Sequence, residues 1–186
     1  MRSLLTAALC ASFCFIPSSV PAQGGGPQQR AQEIAASFNK SKHTVKEKYG
    51  VRAEKFKDVR SELNLKRDVR AYSGVYEGLT GYLLDIRVSA DGRVQASGTE
   101  PGLKAARSFT LRDASIEGGM LTGTKVYADG AAEKFEGVFI KRTERNSPSD
   151  GGVTTFGLGV IYDPPKVAPD YGLVLSRLFY QQREWR

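Results

Sequence analysis

The chain has 186 residues, with 27 Lys or Arg, 20 Asp or Glu and a formal net charge of +7; that length suits one domain with an appendage and is too short for two comfortable cores. Its two cysteines, Cys10 and Cys14, both fall in the first 22 residues, so the rest of the chain has no disulfide and no thiolate zinc site. Residues 23–70 carry 12 Lys or Arg against 6 Asp or Glu, whereas residues 71–186 carry 14 of each, so the excess charge sits on one segment.

Met1-Arg2, an apolar run over 4–16 and the small residues of Pro17-Ser18-Ser19-Val20-Pro21-Ala22 predict a secretory signal peptide cleaved near Ala22. The expected location is therefore periplasmic or secreted. Residues 23–31, beginning QGGGPQQ, have the composition of a flexible linker.

Residues 32–70 are expected to form a basic helical arm. On a helix of ~100° per residue, Ile34, Phe38, Val45, Tyr49, Phe56, Val59 and Leu63 share a narrow stripe, which predicts one long amphipathic helix with Gly50 as its candidate break. Lys40, Lys46, Lys55, Lys57 and Arg60 project beside and behind the stripe, and Lys46, Lys55, Lys57 and Arg60 are the candidate contacts to an anionic envelope surface or a protein partner. His43, the chain's single histidine, falls on the opposite side, where a general base would find neither nucleophile nor orienting partner.

Residues 71–186 read as an antiparallel β domain. Short apolar and β-branched runs at 72–77, 82–89, 93–99, 108–113, 121–127, 134–142, 154–162 and 173–180 predict about eight strands, with a terminal helix as the alternative for the last. Asp91-Gly92 and Asp129-Gly130 suit two-residue hairpins, whose central residues both need positive φ. Consecutive strands joined by short turns are antiparallel neighbours. The predicted fold is thus mainly β: a small up-and-down barrel or barrel-like sheet preceded by one long amphipathic helix. In 154–162, Phe156, Leu158, Val160 and Tyr162 share one face, and Gly157 and Gly159 leave the other bare. Such glycines mark either barrel curvature, the preferred reading, or close approach of another element such as the Phe38 to Leu63 stripe.

Catalytic signatures are missing. The sequence contains no G-x-S-x-G elbow, Walker loop, dinucleotide fingerprint or H-E-x-x-H pair, and its carboxylates sit at ordinary turn and strand positions. The expectation is a protein that is not an enzyme and takes no metal or cofactor. Nucleic acid is not an expected partner, because the aromatics alternate on core faces and the β block is neutral.

Two functions fit. One is interaction or scaffolding in the envelope through the basic arm. The other is a carrier whose barrel interior, including Phe109, Phe135, Phe139, Phe156 and Tyr162, holds a small apolar ligand. Gly74-Val75-Tyr76, a glycine followed two places on by an aromatic, resembles the start of lipocalin-like barrels, although the tryptophan usual there is absent. The resemblance implies the carrier role.

Overall fold

The computed structural model describes residues 26–168 and 173–183; the signal peptide expected over 1–22 lies outside the described residues. The described chain opens with a short helix, α1 (Pro27–Ala36), and a hairpin of β1 (Lys40–Lys48) and β2 (Val51–Leu63). After a 3-10 turn at Val69–Tyr72 come β3 (Gly74–Glu77), β4 (Leu83–Val88), β5 (Val94–Glu100), β6 (Arg107–Glu117), β7 (Met120–Tyr127), β8 (Ala132–Arg145), β9 (Val153–Ala168) and β10 (Leu173–Gln182). The strands pair in the order β1-β2-β8-β7-β6-β5-β4-β3-β10-β9, and β9 pairs again with β8. That second pairing closes β3 to β10 into an eight-stranded antiparallel barrel. Each of the eight expected strands is present, and the last is a strand, not a helix.

The long helix is not. A helix stripe needs three or four apolar residues in every two turns, and the gaps from Phe38 to Val45 and from Tyr49 to Phe56 leave whole turns bare. The helix starts at Pro27, inside the expected linker, and ends at Ala36, where the Ser37 hydroxyl donates to the Ile34 carbonyl at 2.6 Å. The residues beyond it become strands because β8 needs a neighbour. β7 has 8 residues and β8 has 14, so β7 covers only Ala132 to Val138, and β2 takes over along the same edge, pairing Leu63 with Ile140 through Asp58 with Arg145. Gly50 does not break a helix; with Tyr49 it makes the hairpin turn, φ being 55° and 74° at the two residues.

Both Asp-Gly turns depart from expectation in the same way. Only the glycine has positive φ, 81° at Gly92 and 82° at Gly130. Tyr127 N–H donates to the Ala131 carbonyl and Gly130 N–H to that of Tyr127, both at 3.0 Å, and Ser89, Gly92 and Arg93 repeat the pattern. These are three-residue loops closing on a bulge. The aspartate accepts from the backbone two residues on, at 3.0 Å for Asp129 and 3.4 Å for Asp91, which fixes it before the glycine without positive φ.

Side chains fill the barrel. Tyr76, Leu84, Ile86, Phe135, Phe139 and Leu158 are each 2 % exposed or less. Tyr72 stacks on Phe139 at 4.0 Å between centroids, and its hydroxyl donates to the Asn64 carbonyl at 2.9 Å. Outside the wall, Ala31 and Ala35 of α1 pack on Met120, Val138 and Ile140, and Arg30 pairs with Glu136 at 2.6 Å. The two glycines of β9 serve close approach. A Cβ on Gly159 would stand 2.8 Å from the Phe38 ring and 2.4 Å from Ile140 Cδ1, and one on Gly157 would stand 2.1 Å from the Tyr180 carbonyl oxygen.

Candidate functional site

The β1–β2 register sorts the hairpin's side chains into two unlike faces. Lys40 stands opposite Val59, Lys42 opposite Lys57, Thr44 opposite Lys55, Lys46 opposite Ala53 and Lys48 opposite Val51. Directly paired residues project to the same side, so six lysines, at 40, 42, 46, 48, 55 and 57, share one face with no carboxylate among them. The other face holds Ser41, His43, Val45, Glu47, Arg52, Glu54, Phe56 and Asp58, and Arg52, Glu54, His43 and Asp58 on it have ionic partners. Arg52 reaches Glu54 at 2.6 Å, His43 reaches the same carboxylate at 3.4 Å and Arg145 reaches Asp58 at 2.6 Å. On the lysine face, among the described residues, Lys57 alone has an anion beside it, Glu144 at 3.3 Å.

β2 meets β8 only from Asp58 onward, so the part of the hairpin beyond it stands clear of the barrel for roughly 20 Å at ~3.3 Å per residue. A two-stranded ribbon without a third strand is marginal in water, and this one carries no apolar face to bury. At its tip Tyr49 is 91 % exposed and Val51 68 % exposed, with the Lys48 ammonium 5.0 Å from the Tyr49 ring.

Within the barrel lies a second group of charges. β7 alternates so that Leu121, Lys125 and Tyr127 face inward, and Lys125 is only 1 % exposed. Its ammonium donates to Glu100 at 2.9 Å, and the Tyr127 hydroxyl donates to the other Glu100 oxygen at 2.6 Å. Lys166 bridges Glu133 at 2.5 Å and Glu100 at 3.3 Å. Phe109, Phe135 and Tyr162 surround the Lys125 ammonium at 4.6, 5.4 and 5.7 Å, an arrangement in which desolvated rings attract a cation. Burial alone would raise the Glu100 carboxyl, but Lys125, the Tyr127 hydroxyl and Lys166 outweigh it and hold Glu100 below the usual glutamate range. Burial lowers Lys125, with Glu100 opposing the shift. Burial and then the Glu100 hydrogen bond push the Tyr127 phenol far up.

Above this group the wall opens. β8 and β9 pair as far as Gly137 with Val160 and no further. On its other side β9 sets 162–165 against the single Ser176 of β10, because Pro164 and Pro165 have no N–H to give either ladder. The resulting cleft, about 430 Å³, is lined by Glu133, Lys134, Glu136, Tyr162, Asp163 and Lys166 among others.

The five aromatics expected to line a ligand pocket are thus divided. Phe109, Phe135 and Tyr162 enclose Lys125, Phe139 is stacked on Tyr72, and Phe156 lies beyond the barrel rim, 41 % exposed, with the Lys66 ammonium 5.1 Å from its ring. Of the four expected surface contacts, Lys46, Lys55 and Lys57 come together on the lysine face. Arg60 does not: it projects to the other side, beside Asp58 at 3.3 Å.

Sequence reasoning passed over Lys42 and Lys48, although their spacing of two from Lys40 and Lys46 is the signature of one strand face. It also passed over Lys125 and Glu100. The signal there was a charged residue at an inward position of a strand, two before Tyr127 and two after Gly98. Comparison of the chain with protein-family models, with curated proteins and with solved structures finds no match to any of them.

Proposed function

We propose that this is an exported, non-catalytic interaction protein of the cell envelope, whose filled barrel holds out a lysine-faced hairpin to an anionic surface. The observation that carries the reading is the gathering of six lysines on one face of the hairpin with every hairpin carboxylate on the other. Close, unneutralised like charges repel one another, and an anionic surface relieves that repulsion while gaining long-range attraction at low salt. The packed interior supports this reading over the carrier reading, and the charged lining of the β8–β9 cleft does not suit an apolar ligand.

The test is retention on a polyanionic matrix across a salt gradient. Lys46→Glu, Lys48→Glu and Lys55→Glu together are expected to weaken binding on the order of 100-fold or more at 0.1 M salt, taking ~1 kcal/mol for each surface lysine. Arg52→Glu, on the opposite face, should change it far less. Equal retention of the triple variant and the parent would overturn the proposal.

A further inference from the structure

Resting on that reading, we infer that the anionic surface is a lipid bilayer, and that the hairpin docks on it with Tyr49 and Val51 seated among the headgroups and the lysines on lipid phosphates. The first reason is the tip. An Asn-Gly pair fits a two-residue turn with two positive φ angles, yet the first position is Tyr49, at φ 55°, where a bulky side chain is an outlier. That strained position carries an aromatic 91 % exposed, next to Val51 at 68 %. Within the protein its ring meets only the Lys48 ammonium, at 5.0 Å among the described residues, and such a contact at an exposed site is worth about 0.5–1 kcal/mol, little against the strain of the position. A bilayer interface offers more, because an aromatic ring with a polar end partitions to the headgroup layer.

The second reason is the kind of charge. The face is built of lysines, compact hydrated cations on long stems, and holds no arginine to make the two-pronged contacts that single out one phosphate or base. Such lysines lie along apolar surface and lift their charge to headgroup level, and the exposed Val51 and Ala53 supply a thin apolar floor among them. The third is the absence of a stacking platform. The hairpin's His43 and Phe56 pack edge to face at 6.0 Å on the opposite side, so along its strands the lysine face offers bases no ring, and Tyr49 at the tip is a single ring, not a row on which successive bases stack. Among the described residues no helix is long and apolar enough to cross a membrane.

The experiment uses the chain from Gln23, which keeps every described residue and omits the apolar run over 4–16 that would itself enter lipid. Trp185→Phe removes the chain's one tryptophan, and Tyr49→Trp places a new one at the tip. With phosphatidylcholine vesicles containing phosphatidylglycerol, the Tyr49→Trp emission should shift to the blue and be quenched by brominated acyl chains. Pure phosphatidylcholine should give neither change. Lys46→Gln, Lys48→Gln and Lys55→Gln together should lower the partition coefficient on the order of 100-fold. Retention on soluble polyanion and on vesicles alike, with an unshifted and unquenched tryptophan, would overturn the bilayer inference and leave the anionic-surface reading standing. Failure to bind either would remove both.

Discussion

Glu100→Gln should lower the free energy of unfolding by about 3–5 kcal/mol, because it leaves the Lys125 ammonium charged and unpaired inside the barrel. Lys125 is 1 % exposed and among the described residues no other carboxylate is hydrogen-bonded to it; Glu133 acts on it only through charge at longer range, so most of the lost attraction is not replaced. For a chain of this length the change corresponds to roughly 10 °C in Tm, and urea denaturation would measure it directly. A loss under about 1 kcal/mol would mean that water reaches Lys125 and that the interior is not sealed. The pH dependence separates this cause from a packing defect. Glu100 is held below its ordinary value of 4.5, so its contribution is fully present above that pH and is lost as pH falls through the lower folded value. The gap between parent and Glu100→Gln should therefore narrow in acid. Lys125 is also lowered, chiefly by burial. Its charged form is thus penalised in the fold, and the penalty fades as pH rises toward the ordinary lysine range. Glu100→Gln should accordingly regain stability as pH rises toward the ordinary lysine value of 10.5, which a simple cavity would not do.

Gly157→Ala is the second large effect, with an expected loss of about 3 kcal/mol. The added methyl would stand 2.1 Å from the Tyr180 carbonyl oxygen and 2.6 Å from the Phe179 ring. The carbonyl belongs to β10, which pairs with β9 at this point, so relief requires one strand to move away from the other. Gly159→Ala is the informative comparison. Its methyl would meet the end of Ile140 and the Phe38 ring, side chains that can swing aside at about 1 kcal/mol, and the readout is a loosened α1 with faster proteolysis near Phe38. Equal losses at both positions would show that the glycines serve curvature of the strand and not close approach.

Close approach is one of the two readings that the sequence offered for these glycines, and it was the less preferred. The bare face of 154–162 announced that something comes near. It could not say what, because Phe38 lies over a hundred positions away and its path depends on where α1 lands. The same limit governs the candidate site. Lys46, Lys55 and Lys57 were identified as exposed cations, which composition alone permits, but their grouping follows from strand register. On a helix at ~100° per residue the six lysines spread over several sides, while on a paired ribbon they fall on one. Arg60 was grouped with them by the helical reading and is parted from them by the pairing of β2 with β8. Lys125 and Glu100 sit on different strands, 25 residues apart, and only barrel closure brings their inward positions together.

The sequence by itself determined the eight barrel strands, because each is bounded by turn residues whose backbone preferences act within two or three positions. It also determined the imbalance of charge and the lack of cysteine after residue 22. The tertiary structure decided what became of residues 40–63. Their apolar residues are too sparse to hold a helix on a surface, and as an isolated ribbon they would be marginal. They are strands because β8 and β9, with 14 and 16 residues, outrun β7 with 8, and the backbone groups left along the edge of β8 are satisfied by β2. That edge exists only once the barrel has closed, and it turns a scattered set of lysines into a single cationic face.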